Sequence, residues 1–167
     1  VATPGKSFSG IKGNVIEETE GMRIGKHVHT YLLKPSEYNW EMADVVVPIA
    51  KRFVEFLGVH VIRMLDVECA VTADMTWEGL TMKYKGLMDM HLKDVIIIDF
   101  KILAGDLNAA IKHFLYDQQL IGYGAPINAK KRLIISYNKK TKLIQTAFIE
   151  YDPRWWQYQI KRYGVPV

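Results

Sequence analysis

The sequence predicts a mixed α/β (α+β) domain in which a central mixed sheet of about five strands is flanked by helices. Three observations carry that expectation. Two early segments repeat their apolar residues at helical spacing, the period then shortens into five β-branched and apolar runs, and one more helical pattern falls between the third and fourth runs. A crossover at that point calls for a parallel strand pair, and three consecutive strands before it call for antiparallel ones, so the sheet is mixed. At 167 residues, 49% hydrophobic and 24% charged, the chain is long enough for one core and is read as a single domain over 1–167.

Residues 1–23 are rich in Gly, Ser, Thr and Glu and read as an irregular lead-in. From Ile24 to Leu33, Ile24, Val28, Tyr31 and Leu32 fall at helical spacing, and Lys34-Pro35 stops the run because proline disfavours helix at the preceding residue. Ala43 to Leu57 places Val46, Ile49, Phe53, Phe56 and Leu57 on one face, with Pro48 tolerated near the first turn and Gly58 as a stop. The five expected strands are His60–Thr72, Thr81–Met90, Val95–Leu103, Arg132–Asn138 and Leu143–Tyr151. The helix between the third and fourth covers Asp106–Tyr123, with Asp106 or Asn108 as its cap. Residues 153–167 form a basic and aromatic tail.

The bulk numbers narrow the function. A net charge of +4 and a pI near 9.0 lean mildly towards an anionic partner such as nucleic acid. One cysteine, Cys69, supports neither an intramolecular disulfide nor a CxxC zinc or redox motif, so a reducing, cytoplasmic setting is expected. No apolar run reaches the roughly 18 residues of a membrane span, and Val1 to Gly10 lacks a signal-peptide stretch, so no membrane association is expected. The chain begins with Val rather than Met, which leaves room for an upstream region.

The chemistry is concentrated on the third strand. Val95 to Leu103 is apolar enough to be buried, yet it carries Asp99 and Lys101 two residues apart and therefore on one face. Burying both is costly unless they pair or meet a metal. The bland alternative is one ion pair at an exposed strand end. A second carboxylate, Asp89, ends the preceding strand and is joined to the third through His91-Leu92-Lys93-Asp94, which reads as a β-hairpin. Two carboxylates and a main-chain carbonyl, that of Phe100, are the hard oxygen ligands Mg²⁺ or Mn²⁺ takes. Lys101 would orient the attacking water and offset charge on a phosphate. A tight turn at 91–94 puts Asp89 opposite Ile96, roughly 10 Å along the strand from Asp99, so closing the site requires a slip, twist or bulge.

Gly86-x-x-Asp89 followed by Asp99-x-Lys101 resembles motifs II and III of the PD-(D/E)XK nucleases, and Gln119-Leu120-Ile121-Gly122-Tyr123 resembles the QxxxY motif of their RecB-like and lambda-exonuclease-like branches. The helix from Ile24 to Pro35 resembles that of the exodeoxyribonuclease VIII (RecE)-like catalytic domain, which makes His29 rather than His27 the matching histidine. The resemblance runs from about Ser7 to Tyr123. It implies a restriction-endonuclease-like core and a Mg²⁺- or Mn²⁺-dependent deoxyribonuclease, with one or two ions, acting on DNA ends in phage-type recombination or repair. It further implies Asp89 and Asp99 as metal ligands, Lys101 as the water-orienting group, Gln119 and Tyr123 beside the metal, His29 as an additional ligand or phosphate contact, and Glu68 as a supporting acid. A homo-oligomer and a single-strand annealing protein are the partners such a nuclease would have, in a bacterial or phage-infected cell. Lys101 is followed by Ile102 where relatives usually carry a small polar residue, and the chain is short for the exonuclease branch.

Lesser signals carry their plainer readings alongside. His27 and His29 point about 200° apart on a helix and cannot chelate one ion together. Lys112, Tyr116, Gln119 and Tyr123 form a polar stripe, as a solvated face also would. Lys130, Lys131 and Arg132, with Tyr116, are candidate DNA contacts, although basic runs are usually solvated loops. Arg154-Trp155-Trp156-Gln157-Tyr158 and Lys161-Arg162-Tyr163 interleave aromatic and basic residues as a single-strand stacking surface would, while core packing explains the tryptophans equally well. A structure-specific or single-strand endonuclease and a non-catalytic DNA-binding protein of the same fold are the alternatives to an exonuclease.

Overall fold

The computed structural model describes residues 18–64, 66–92, 95–114, 131–149 and 153–167, without the side chains of His60, Arg63, Met64, Glu68, Lys112, His113, Phe114, Pro153 and Trp155. Helix α1 (Glu20–Leu33) begins where the Thr19 side chain accepts a hydrogen bond from the Met22 amide, and ends at Lys34 before Pro35. A short 3-10 turn (Pro35–Glu37) leads to α2 (Ala43–Leu57), which stops at Gly58 with φ +80, a backbone conformation that glycine adopts without steric cost. The expected first strand is corrected here. Val59–Met64 is a short helix, α3, and β1 runs over Asp66–Trp77. Six residues with β-branched Val59, Val61 and Ile62 among them read equally well as helix or strand, and the turn at Gly58 redirects the chain before a strand can pair.

Strand β1 joins β2 (Leu80–Leu92) through Glu78 and Gly79, both at positive φ (49 and 74), with Trp77 paired to Leu80 as in a two-residue I′ hairpin. Strand β3 (Ile96–Leu103) follows, then α4 (Leu107–Phe114), β4 (Lys131–Asn138) and β5 (Ile144–Ile149). Asp106 caps α4 by accepting from the Asn108 amide at 2.7 Å, and Gln145 of β5 accepts from the Leu107 amide. The expected continuation of that helix to Tyr123 lies outside the described residues. The basic tail is also corrected: it forms helix α5 (Pro153–Tyr163) and a two-residue strand, β6 (Val165–Pro166).

The sheet is mixed, as expected, in the order β1-β2-β3-β4-β5, with β3 and β4 parallel, the other neighbours antiparallel, and β6 added to β2. One face packs Met90, Ile98, Phe100, Ile135 and Tyr137 under α1 and α2, where Phe53 lies 4.7 Å ring to ring from Phe100. The other face gathers Met88, Ile97, Ile134 and Ile149 against Leu107 of α4, while Trp156 of α5 rests edge-on against Tyr84 of β2. No helix among the described residues is long and apolar enough to cross a membrane.

One local departure from regular pairing positions the site. Strand β2 pairs with β3 only at Met90–Ile98, His91–Ile97 and Leu92–Ile96, although both strands continue further. Strand β1 occupies one edge of β2 along its length, so β3 and β6 share the other edge at opposite ends. Between them β2 and β3 diverge, and Asp89 stands at the fork.

Candidate active site

Asp89 sits where strict alternation of faces fails. Met88 packs in one core cluster and Met90 in the other, although residues two apart on a regular strand share a face. Released from a regular ladder position, the Asp89 carboxylate turns towards β3. Its Oδ2 accepts a hydrogen bond from the Phe100 amide at 3.1 Å, taking the place of a strand carbonyl. The register also revises the expectation that Asp89 faces Ile96. Met90 faces Ile98, so the hairpin places Asp89 about level with Asp99. Strand β2 runs on through Leu92 before the chain turns, two residues past the expected end at Met90, and the register moves by three.

His29 reaches this point from α1, near the C-terminal end of that helix. Its Nδ1 lies 3.3 Å from Asp89 Oδ1 and its Nε2 lies 3.1 Å from the Phe100 carbonyl oxygen. Both ring nitrogens thus face acceptors, which only the doubly protonated imidazolium satisfies. Burial pulls the His29 pKa down, but the charge and hydrogen bond of Asp89 outweigh it and leave the pKa above the ordinary 6.5. Asp89 answers in kind. Burial raises its pKa, and the opposing pull of His29, the Phe100 amide and Lys101 carries it below 3.8. His27, on the far side of α1, packs against Tyr38 instead, as the helical spacing requires.

Asp99 and Lys101 share a face of β3, as their spacing predicts. Lys101 Nζ donates to Asp99 Oδ1 at 3.2 Å and lies 2.9 Å from Oδ2, a charge contact without hydrogen-bond alignment. The pair is not at an exposed strand end: the Asp99 side chain is only 8% exposed. Burial pushes its pKa up to about 6, with Asp89 adding to the rise and Lys101 opposing it. A carboxyl so disposed gains from any further cation placed beside it.

Among the described residues no three His, Cys, Asp or Glu side chains close into a metal cage. The donor set is of another kind: two carboxylates, one with a buried oxygen lacking an aligned donor, and a main-chain carbonyl beside a histidine. Mg²⁺ suits such a set, because it takes one or two carboxylates and keeps several of its waters. The residues present therefore fit a hard divalent cation better than zinc.

The remaining expectations divide. Gln119, Tyr123, Tyr116 and Lys130 lie outside the described residues. Glu68 belongs to β1, between positions paired with Met88 and Met90, and its side chain is likewise outside the description. Lys131 is exposed at the start of β4, over the Phe148 ring. Arg132 is a correction: it is 1% exposed, so its guanidinium is enclosed by the fold rather than offered to a phosphate. The bridging of Asp89 and Phe100 by His29 was not readable in the sequence, since it depends on how α1 crosses β3. The cationic face of α5 has a visible signal in the sequence, the interleaved basic and aromatic residues.

No family model and no curated protein matches the chain. Solved structures do. The fold is similar to that of a candidate exonuclease from Eubacterium rectale, with a TM-score of 0.55 at 12% identity, covering 95% of this chain and 69% of that one. It is also similar to that of a phage-related exonuclease from Haemophilus somnus, with a TM-score of 0.50 at 16% identity, covering 95% and 73%. At these identities the likeness shows the fold, a mixed sheet flanked by helices that these two structures share.

Proposed function

We propose that the protein is a Mg²⁺- or Mn²⁺-dependent deoxyribonuclease of the PD-(D/E)XK type that hydrolyses phosphodiester bonds at DNA ends. The observation that carries this reading is the meeting of Asp89, Asp99, Lys101, His29 and the Phe100 carbonyl at one fork in the sheet. They are spread over three elements and 73 positions of sequence, from His29 to Lys101, and only the fold brings them together. The nuclease-like fold and the order of the sequence motifs support the same reading.

Asp89, Asp99 and the Phe100 carbonyl would hold the cation. One ion or two, when bound, supply polarisation of the phosphoryl oxygen and a lowered pKa for water. His29 keeps the Asp89 carboxylate charged and aimed at β3. Lys101, held against Asp99, orients the attacking water and offsets charge gathering on the phosphate. Gln119 and Tyr123 would complete the site beside the scissile strand, with Glu68 as a supporting acid. Lys131 and Lys130 would contact phosphates away from the reacting bond. A role in phage-type recombination or repair, a homo-oligomeric assembly, an annealing partner and a cytoplasmic location follow from the same reading.

The test is degradation of end-labelled linear duplex, linear single-stranded and closed circular DNA with Mg²⁺, Mn²⁺ or EDTA, with Asp99→Ala in parallel. Metal-dependent loss of linear DNA, spared circles and an inactive variant are expected. Cutting of circles makes it an endonuclease, and full activity in Asp99→Ala removes the proposed centre.

A further inference from the structure

The cationic surplus of the chain is not spread evenly. Helix α5 carries Arg154, Lys161 and Arg162 and no acidic residue, so eleven residues hold three of the four net positive charges. Helical geometry, at about 100° per residue, places Arg154, Tyr158, Lys161 and Arg162 within an arc of about 100°. The opposite side buries Trp156, Gln159 and Ile160 against β1 and β2, with Trp156 on Tyr84. The outward arc is therefore fixed by packing. On it the Tyr158 ring is 57% exposed. Its hydroxyl accepts a hydrogen bond from Arg162 Nη1 at 3.3 Å, and the Arg162 guanidinium lies 5.1 Å from the Tyr163 ring centre. These contacts hold an aromatic plane and a guanidinium side by side.

The helix packs across β1 and β2, the second of which carries Asp89. Trp156 rests on Tyr84, about 17 Å along β2 from Asp89 at 3.3 Å per residue, and α5 runs from there towards β6 at the far end of the same edge. Arg154 stands at the end nearer the fork. We infer that the outward face of α5 is a binding track for single-stranded nucleic acid, in which Arg154, Lys161 and Arg162 meet phosphates and Tyr158 stacks a base. A single strand is the occupant because an exposed ring needs an unpaired base to stack on, while a patch of cations alone would serve a duplex equally. The inference rests on the nuclease reading for the direction of the strand, not for its binding.

The experiment measures binding of fluorescein-labelled oligo-dT of roughly 20 nucleotides, in EDTA so that no cleavage occurs, across a salt series. The full chain is compared with Tyr158→Ala, Tyr158→Phe, the pair Lys161→Ala/Arg162→Ala, and a control pair on exposed α2 positions, Lys51→Ala/Arg52→Ala. Tyr158→Ala is expected to bind about tenfold more weakly and Tyr158→Phe within about twofold of the parent, because stacking needs the ring and not the hydroxyl. The α5 pair is expected to lose about tenfold and to flatten the salt dependence by about 1.4 in log-log slope, the value for two lost phosphate contacts. Thermal melting of each variant shows that the exposed substitutions leave the fold intact. No binding by the parent, or equal loss in the α2 pair, overturns the track. So does displacement by poly-glutamate as effective as by unlabelled oligo-dT, which would assign the face to an acidic protein. Binding with the expected variant pattern but no cleavage under Mg²⁺ or Mn²⁺ upholds the track and removes the nuclease. Cleavage with α5 variants indistinguishable from the parent does the reverse.

Discussion

Asp99→Asn should stabilise the metal-free protein at neutral pH while removing its activity. Burial holds the Asp99 carboxyl at about 6 against an ordinary 3.8, so its ionisation is disfavoured in the fold. Between those values the folded state binds more protons than the unfolded chain, and stability therefore falls as pH rises through this window and levels off above it. At about 1.4 kcal/mol for each tenfold change in proton affinity, the whole effect is about 3 kcal/mol. Part of it is not recovered by Asn, because Lys101 loses its charged partner. Lys101 is 23% exposed and its stem can carry the ammonium towards water, which limits that loss. A net gain of about 1–2 kcal/mol remains, or a melting point higher by roughly 3–6 °C in a domain of this size. Urea denaturation in EDTA at pH 7.5 and pH 4 measures it. The advantage of Asp99→Asn should be present at pH 7.5 and largely gone at pH 4, where the native carboxyl is already protonated. A variant no more stable than the parent at pH 7.5, or one whose advantage grows towards acid, would show that the Asp99 charge is not strained. A gain in stability at the expense of function is what a cation-binding carboxylate predicts.

Two further substitutions probe the frame of the site. His29→Gln keeps a donor but no charge, so the metal-free variant should lose on the order of 1 kcal/mol where the His29–Asp89 ion pair exists. The Asp89 side of that pair, with its lowered pKa, is lost as pH falls below the carboxylate range, and the His29 side, with its raised pKa, is lost as pH rises past 6.5. Denaturation at pH 5.5 should thus separate parent and variant more than at pH 9, and an equal difference at both would refute the ion pair. Gly164→Ala should loosen β6, since a Cβ there meets the Ile160 carbonyl oxygen and comes within 3.1 Å of Leu80 Cβ. The expected cost is about 1–3 kcal/mol with faster hydrogen exchange at the Val167 amide, which donates to the Gly79 carbonyl. Unchanged exchange there would mean that the chain accommodates the methyl without releasing the strand.

The sequence disclosed those features whose cause is local. Helix α2 shows its apolar face and its glycine stop, and β3 announces itself as a buried strand that carries two charges. The Asp99–Lys101 pair was legible because alternation along a strand is strict. Val59–Met64 misled because six residues are too few to show a period that separates helix from strand. Helix α5 was hidden by its composition, since an outward face of Arg, Tyr and Lys and an inward face of Trp, Gln and Ile blur the usual polar and apolar contrast. A tight turn at 91–94 set Asp89 three residues from Asp99 and called for a slip, and the size of that slip was hidden because the length of a turn depends on how far two strands keep pairing. Arg132 could not be told from a surface cation, because its burial is decided by neighbours remote in sequence.

The fork explains why these groups meet where the sheet stops pairing. A paired strand directs its amides and carbonyls into the ladder and has none to offer a cation or a substrate. Where β2 leaves β3 beyond Met90–Ile98, the Phe100 amide would lack an acceptor, and the Asp89 carboxylate supplies one. The Phe100 carbonyl is taken up by His29 from the neighbouring helix. Each group that closes the open ladder is thereby one that a divalent cation could use. The same divergence leaves the edge of β2 free of strand partners, among the described residues, from Met82 to Asp89, while α5 packs across β1 and β2. If a nucleic-acid strand enters along that edge, the end of pairing that exposes the ligands also opens their approach. Restoring regular β2–β3 pairing would then remove both functions together, whereas substitutions on α5 should weaken binding and leave the centre intact.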